Sequence, residues 1–237
     1  MAETFFHLAV IPDGNRRWAK KSGIKASQLY NRGTDKAVEI TETAFKNGVS
    51  HLSLWGSSYA NINQRSSDFF KTIDRLYRDN IQRFVDHKMM EQYDVRIEII
   101  GEWRTSLTPE TIAVMDDAIA QTKHRRSRVL SLLISYSGSR ERGQAVQKLL
   151  ENPEKVDSIE SATQLLQKNS WTSYLPPVDL IVRTGAWEDP HNSAGFMSLL
   201  ADEAQYAYPE ALWPDFDSSE LETIIDDFKK RERRRGK

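Results

Sequence analysis

An aspartate, a glycine, an asparagine and two arginines stand in succession close to the N-terminus of the 237-residue chain. These residues, 13–17 (DGNRR), follow the apolar run 8–11, which predicts a buried strand. Pro12 ends that strand because proline has no N–H to donate to a neighbouring strand. Asp and Asn bond their own backbone and Gly adopts dihedrals that other residues avoid, so 13–15 predicts a turn. Arg16 then opens a predicted helix.

This strand-to-helix corner has the composition of an anion site that includes a metal ligand. In open α/β sheets ligands bind at the carboxyl ends of strands, and a helix N-terminus there offers free N–H groups. Arg16 and Arg17 add guanidiniums that bind phosphate oxygens in bidentate fashion. Asp13 fits Mg²⁺, which is commonly held by one or two carboxylates plus substrate phosphates. A simple turn beside two solvated arginines fits these residues equally well.

The rest of the chain predicts the elements that would position this corner. Apolar runs predict strands at 8–11, 51–55, 95–100, 129–134 and 178–182. Helical spacing, caps and breakers predict helices at 33–47, 67–88, from 108, at 143–150, 159–167, 193–200 and 221–230. Strands that alternate with helices indicate a single α/β domain over 1–237, with a mostly parallel central sheet of about six strands covered by helices on both faces.

Composition excludes several classes of function. The net charge is −1 and there is no cysteine, so neither a polyanion binder nor a disulfide or thiolate protein is indicated. No apolar run approaches the roughly 18 residues of a membrane span, and a cytoplasmic protein is expected. The basic segment 229–237 (KKRERRRGK) raises the alternative of nucleic-acid binding. It is better interpreted as a solvated helix end that suits the helix dipole, so no nucleic-acid partner is predicted.

Several blocks, taken in order along the chain, resemble one enzyme family. They are 7–23 (HLAVIPDGNRRWAKKSG), 177–185 (PVDLIVRTG), 212–217 (LWPDFD) and 231–234 (RERR). Together they resemble the cis-prenyltransferases, the undecaprenyl diphosphate synthase family. The resemblance implies a Mg²⁺-dependent enzyme in which isopentenyl diphosphate attacks an allylic diphosphate and diphosphate leaves. It also implies a homodimer, an apolar tunnel between sheet and helices for the growing chain, and a product delivered to a membrane at the cytoplasmic face.

The same resemblance assigns roles to individual residues. It makes Asp13 and Asn15 catalytic, Asp13 the metal ligand, Gly14, Asn15, Arg16, Arg17 and Trp18 part of the diphosphate site, and Arg183 and Ser193 contacts of isopentenyl diphosphate. Ordinary core packing is the alternative for Trp18, and an arginine at the surface end of a strand is the alternative for Arg183.

The chain departs from the family pattern at four places. Ala26 and Tyr30 stand where an arginine and a histidine are usual. Only Asn61 remains of a Ser-Glu-Asn-Trp run, and it is kept as a substrate-binding candidate. The segment after 185 is longer by two residues and lacks its second arginine, for which His191 is the nearest replacement. A metal-binding glutamate is replaced by Gln205; Glu203, two positions away, could substitute as a metal ligand or could be a solvated edge residue.

These departures cluster on the isopentenyl diphosphate side of the expected site. Three hypotheses follow from that distribution. The acceptor could be held differently, so that isopentenyl or dimethylallyl diphosphate is joined in an irregular, non-head-to-tail way. The acceptor could instead be an alcohol. Alternatively, the chain could be a subunit or activating partner of a heteromeric synthase, although such partners tend to lose the Asp-Gly-Asn loop that this chain keeps.

Overall fold

Six strands form one sheet in the computed structural model, which describes residues 6–23 and 26–231. The strands are β1 (His7–Ile11), β2 (His51–Trp55), β3 (Val95–Ile100), β4 (Arg128–Leu133), β5 (Leu180–Arg183) and β6 (Gln205–Ala207). Their order is β3-β4-β2-β1-β5-β6, and every neighbouring pair is parallel. The α/β prediction is confirmed, and the sheet is parallel throughout.

The adjacent strands β1 and β5 are buried along their length, and all their residues except His7 and Arg183 are apolar. A strand covered on both faces needs apolar side chains on both, which is why these segments read as continuous hydrophobic runs. In the register of the pair, Ile11 lies beside Arg183. The residues that follow both strands therefore reach the same edge of the sheet, its carboxyl edge.

Ten α-helices and one 3-10 helix accompany the sheet in the described part of the chain. They are α1 (Asn15–Ser22), α2 (Ala26–Lys46), α3 (Tyr59–Asn63), α4 (Ser67–Val85), α5 (Met89–Gln92), α6 (Trp103–Ser106), α7 (Pro109–Thr122), α8 (Gly138–Glu151), α9 (Ile159–Lys168), the 3-10 helix Trp213–Asp215 and α10 (Ser218–Lys230). Helices α2, α4, α7 and α10 supply the apolar side chains that cover one face of the sheet.

A buried carboxylate joins two of these helices. Asp74 of α4 accepts hydrogen bonds from the backbone N–H and the hydroxyl of Thr108, both at 2.9 Å, and from the hydroxyl of Thr111 at 2.8 Å. Thr108 caps α7 and Pro109 is its first residue, as predicted. Because every one of these donors would be costly to leave unpaired in the interior, Asp74 fixes α4 against the start of α7.

The opposite face of the sheet is covered largely by two irregular segments on either side of β5, 170–179 and 184–201, which supply Leu175, Val178 and Phe196 to its core. The helix predicted at 193–200 is wrong, because consecutive turns occupy this stretch. Ala194 and Met197 have φ angles of 46° and 53°, which a right-handed helix does not permit.

The sequence does not predict the short helices α3, α5 and α6, and the other differences are at element boundaries. Helices α2 and α8 begin earlier than predicted, at residues 26 and 138, and α4 ends earlier, at 85. The sequence patterns do not predict the short strand β6. Residues 232–237 of the basic C-terminal segment, and the side chains at the two substituted positions 26 and 30, lie outside the described residues. No helix in the ranges 6–23 and 26–231 combines the length and apolar character needed to cross a bilayer.

Candidate active site

The corner between β1 and α1 depends on a glycine. Gly14 precedes the first residue of α1 with a φ of 99°, a left-handed conformation that side chains rarely adopt. A Cβ at this position would stand 2.7 Å from Cδ2 of Leu212. Both the backbone conformation and the space therefore require glycine, and the turn predicted at 13–15 has a second cause that the sequence did not reveal.

Hydrogen bonds fix the main chain of Asp13 to two distant segments. Its N–H donates to Oγ1 of Thr184 at 2.9 Å, and that hydroxyl donates back to the Asp13 carbonyl at 2.8 Å. The N–H of Trp213 donates to the same carbonyl at 2.9 Å. The main-chain groups of Asp13 thus hold three segments together: the corner, the end of β5 and the 3-10 helix.

The carboxylate of Asp13 lies between two guanidiniums. Oδ2 accepts a hydrogen bond from Arg183 at 2.8 Å, and Oδ1 is 3.7 Å from the guanidinium of Arg17. The Arg183 side chain is only 10% exposed, whereas that of Asp13 is 39% exposed. Arg183 also donates to the carbonyl of His191 at 2.8 Å, and Arg17 donates to the carbonyl of Gly185 at 2.6 Å. Both arginines are therefore oriented by the loop that follows β5.

These groups line a polar cavity of about 640 Å³ at the carboxyl edge of the sheet. We call it the carboxyl-edge cavity. Its lining residues are Asp13, Arg17, Arg183, Gly185, Ala186, Trp187, Glu188, Asp189, His191 and Glu210. Four carboxylates thus share the cavity with two guanidiniums and one imidazole. A bare diphosphate would meet attraction from the arginines and repulsion from the additional acids.

A second, mainly apolar cavity of about 180 Å³ lies between the sheet and the helices α2 and α4. Its lining residues are Pro12, Asn15, Gly33, Thr34, Ala37, Leu54, Trp55, Gly56, Ile73, Leu76, Tyr77, Asn80, Ile81, Phe84, Leu132, Ile134 and Trp213. Pro12 and Asn15 belong to the corner, so the apolar cavity begins next to the charged groups. A cavity of this kind matches the predicted tunnel in location and lining.

The structure brings together part of the predicted site. Asp13, Arg17, Arg183 and His191 share the carboxyl-edge cavity, while Asn15 faces the apolar one. The side-chain amide of Asn15 donates to the carbonyl of Pro12 at 3.0 Å, which fixes its orientation at the junction.

Other predicted residues do not line either cavity. Arg16 is exposed, and Trp18 is buried with the guanidinium of Arg32 5.0 Å from its ring centroid. Asn61 lies on α3, beyond the carboxyl end of β2, and Ser193 lies just before the turns of 194–200. Their roles stay predictions.

The predicted placement of Glu203 is wrong. It lies on an exposed turn, and β6 begins only at Gln205, so the two residues do not share a strand face. Because Gln205 pairs with Leu180 at the start of β5, Glu203 is at the amino edge of the sheet, whereas Asp13 follows the carboxyl edge. Glu203 and Asp13 of one chain therefore do not form a joint metal site.

Sequence reasoning missed residues that build the site without touching its open space. Thr184 and Trp213 anchor the Asp13 peptide, and Leu212 fills the space beside Gly14. Glu210, on the cavity wall, was also missed. The only available signal was that these residues belong to, or lie next to, the sequence blocks 177–185 and 212–217. The spacing of the residues does not show that the blocks meet.

The donor set at Asp13 is compatible with Mg²⁺ bound together with a substrate. Among the described residues no group of three or more His, Asp or Glu side chains is arranged to hold a metal by itself. Mg²⁺ does not require such a group, because it keeps several waters and takes phosphate oxygens as ligands. Asp13 offers a partly exposed carboxylate on a cavity large enough for phosphates, and Arg183 would have to share that carboxylate with the ion.

Comparison with known proteins agrees with this geometry. Residues 11–236 match the family described as putative undecaprenyl diphosphate synthase. The chain is 30% identical over 233 residues to the ditrans,polycis-undecaprenyl-diphosphate synthase ((2E,6E)-farnesyl-diphosphate specific) of Pseudomonas aeruginosa, covering 98% of this chain and 90% of that protein. It is 27% identical over 234 residues to the tritrans,polycis-undecaprenyl-diphosphate synthase (geranylgeranyl-diphosphate specific) of Pyrobaculum aerophilum, covering 98% and 95%.

Solved structures show the same fold. Lavandulyl diphosphate synthase from Lavandula x intermedia, solved in complex with dimethylallyl diphosphate, superposes with a TM-score of 0.86 at 22% identity and covers 98% of both chains. A probable undecaprenyl diphosphate synthase from Campylobacter jejuni gives a TM-score of 0.77 at 24% identity, covering 99% of this chain and 100% of that one.

The family match and the relatives define the class, a prenyltransferase, and the structure shows that it is built as a single α/β domain. More specifically, the chain belongs to the undecaprenyl diphosphate synthase family, the cis-prenyltransferases.

Proposed function

We propose that this chain condenses an allylic diphosphate with isopentenyl diphosphate in a Mg²⁺-dependent reaction that releases diphosphate. The observation that carries the proposal is the position of Asp13. Its carboxylate sits between Arg17 and Arg183 on the carboxyl-edge cavity, and Asn15, two residues later, lines the apolar cavity. A substrate with a charged head and a hydrocarbon tail would have matching surroundings at both ends.

In the proposed reaction the allylic carbon–oxygen bond breaks, and its electron pair leaves with the diphosphate. The acceptor's double bond supplies the electrons of the new carbon–carbon bond, and the acceptor then loses a proton. Arg17 would stabilise the charge that grows on the leaving group, while the Asp13 carboxylate would hold Mg²⁺. When bound, Mg²⁺ neutralises phosphate oxygens and so makes the diphosphate a better leaving group. Asn15, which lines the apolar cavity beside the corner, would help to remove the proton.

The acceptor side supports a second possibility for connectivity. Glu188, Asp189 and Glu210 add three carboxylates to the cavity that Arg183 lines, and no second arginine accompanies it in the loop 184–193. A cavity wall with these carboxylates binds a second diphosphate less strongly than a wall of basic residues would. This favours an acceptor held in a different pose, and hence irregular coupling of dimethylallyl diphosphate, or an alcohol acceptor, as the alternatives to regular elongation.

The experiment is incubation of the pure chain with labelled isopentenyl, dimethylallyl and longer allylic diphosphates, with and without Mg²⁺, followed by mass and NMR connectivity of the product. Asp13→Asn should lower the rate by about a hundredfold or more, since it removes the metal carboxylate and one side of two ion pairs. Asp227→Asn, at an exposed α10 carboxylate 3.8 Å from Lys230, is the matched control and should react as the unaltered chain does.

Regular products would favour elongation, and branched products would favour irregular coupling. No prenyl product under any combination, with Asp13→Asn indistinguishable from the unaltered chain, would contradict the proposal. Activity that appears only on addition of a homologous chain would instead favour the heteromeric alternative. A homodimer stays a prediction, which the molar mass in solution tests.

A further inference from the structure

A second charged cavity lies at the opposite, amino edge of the same sheet, and the proposed reaction does not use it. We call it the amino-edge cavity. It has a volume of about 590 Å³ and is lined by Ser50, His51, Gln92, Tyr93, Asp94, Arg96, Arg126, Ser127, Arg128 and Val129. None of these residues lines the carboxyl-edge cavity. Strand register brings its wall together, because His51 and Arg96 both lie beside Val129 at the start of β2, β3 and β4.

The cavity carries an excess of positive charge on a chain that is almost neutral overall. Three of its residues are arginines and only one, Asp94, is acidic. The loop from 123 to 128, KHRRSR, adds further cations beside it. Within the part of the chain that the structure describes, no carboxylate lies within 4.0 Å of the guanidinium of Arg126 or Arg128, whereas Arg96 is 3.1 Å from Glu98.

The acidic residue of this cavity is occupied in holding the basic loop. One oxygen of Asp94 accepts hydrogen bonds from the N–H of Arg126, the N–H of Ser127 and the Ser127 hydroxyl, at 2.9, 2.9 and 2.8 Å. These bonds lower the pKa of the Asp94 carboxyl, so the group stays ionised. These bonds fix the backbone of the loop beside the cavity, and the guanidinium of Arg126 donates within the same loop to the carbonyls of Lys123 at 2.8 Å and Arg125 at 3.5 Å.

The imidazole of His51 reports the field of these cations. The pKa of His51 is lowered from 6.5 to about 4, mainly because the ring is buried. The nearby His7, Arg96 and Arg128 act in the same direction. His51 is therefore neutral near pH 7, and its nearest charged neighbours repel a proton. An anion seated among the arginines would reduce that repulsion, which makes the ring a built-in probe of occupancy.

We propose that the amino-edge cavity binds a phosphate group through Arg96, Arg126 and Arg128. Guanidiniums bind phosphate oxygens in bidentate fashion, and two of these three have no competing carboxylate in the described residues. The phosphate can belong to a small free metabolite or to a lipid headgroup. The site stands apart from the prenyl-transfer site, so its failure would leave the proposed function untouched.

The test is titration of inorganic phosphate into the full chain with labelled histidines at constant ionic strength, followed by NMR of the imidazole signals. His51, assigned with His51→Gln, should shift saturably. His191 lines the other cavity and reports phosphate bound there in the same titration. Arg126→Gln combined with Arg128→Gln should weaken the response of His51 by about tenfold or more. Arg75→Gln, at an exposed arginine of α4 whose side chain is 76% exposed, should leave it unchanged.

Arg126→Gln alone, at an exposed loop position, guards against misfolding of the double variant and should weaken the same response severalfold. Sedimentation with phosphatidylcholine vesicles, with or without phosphatidate, distinguishes the sources. Binding to phosphatidate that the arginine variants weaken indicates a headgroup, and phosphate binding without vesicle binding indicates a small ligand. The proposal is overturned if His51 does not respond to phosphate, or if its response is equal in the unaltered chain and the arginine variants.

Discussion

The two edges of one parallel sheet carry polar cavities of similar volume, about 640 Å³ at the carboxyl edge and about 590 Å³ at the amino edge, but they are built differently. At the carboxyl edge acids and bases are interleaved, and Arg183 is in direct contact with Asp13. At the amino edge cations predominate and a histidine is held neutral. The proposed magnesium-dependent site would need its own carboxylate, whereas the proposed phosphate site would need only positive charge.

The construction of the two walls also differs. Main-chain hydrogen bonds and a left-handed glycine shape the carboxyl edge, where three separate segments meet at Asp13. At the amino edge a single carboxylate, Asp94, organises a single loop. Substitutions should therefore act mainly on catalysis at the carboxyl edge, and mainly on stability and charge at the amino edge.

The largest effect that we expect at the amino edge is loss of stability in acid through His7. This residue of β1 is buried, bonded to the Pro176 carbonyl and the Ser53 hydroxyl, and burial lowers its pKa from 6.5 to about 4. The unfolded chain then takes up the proton first. Stability is fully present above pH 6.5 and falls, by about 3 kcal/mol, as the pH drops towards 4.

Urea unfolding at a series of pH values measures this effect. His7→Gln should make the decline between pH 6.5 and 4 about half as steep, because it removes one of two groups that take up a proton first in the unfolded chain; the pKa of His51 is likewise lowered to about 4 and its share of the decline remains. His124→Gln, at an exposed position, is the control and should retain the full decline. An equally steep decline in the His7 variant would show that other groups govern acid unfolding.

At the carboxyl edge, Gly14→Ala should lower kcat/KM by about a hundredfold, because the new methyl group collides with Leu212 and displaces the corner. Gly23→Ala is a matched comparison. Gly23 also has a positive φ, of 64°, but nothing lies within 4 Å of the added Cβ. Its cost should be about 1 kcal/mol of stability with near-normal activity. Similar activity in the two variants would contradict the importance of the close approach.

Arg183→Gln should raise KM for the acceptor diphosphate by about tenfold, because a charge-assisted contact is lost, while KM for the allylic donor changes less. Steady-state kinetics with each substrate varied in turn measures the two constants. Arg140→Gln, at an exposed arginine of α8 that pairs with Glu102, serves as the control. An equal increase in both constants would mean that the two substrates do not divide the cavity in this way.

The smallest expected change is a gain. Glu188→Gln removes an exposed carboxylate from the wall of the carboxyl-edge cavity and should lower KM for a diphosphate acceptor by about twofold. Glu151→Gln, exposed at the end of α8, is the control. Should the Glu188 variant bind the diphosphate acceptor no better, or worse, the acidic wall does not repel it, and the argument for an irregular pose or an alcohol acceptor loses its support.

The sequence allowed the sheet and the corner between β1 and α1 to be predicted, because the signals were local. The apolar runs 8–11 and 51–55 predicted β1 and β2, and the turn residues around Gly14 predicted the corner. The segment 193–200 could not be predicted, because its apolar spacing suits a helix while its conformation is set by packing. Gly195 approaches Gly138 so closely that a Cβ on the latter would be 1.9 Å from the carbonyl oxygen of the former.

The placement of Glu203 failed for a related reason. Sequence distance to Gln205 is fixed, but where β6 begins depends on its pairing with β5, which is a long-range contact. The amino-edge cavity was missed because His51, Arg96 and Arg128 belong to three different strands and form no motif. Register alone brings them together, and register is known only once the strand order is known.

The guanidinium of Arg17 rises from the first helix and ends on the carbonyl of Gly185, in the loop after the fifth strand. If that guanidinium turns to the phosphate of an allylic substrate, it releases the Gly185 carbonyl. The loop that follows β5 is then freed when the allylic substrate binds. The two substrates would then be taken up in a compulsory order, with the allylic compound first.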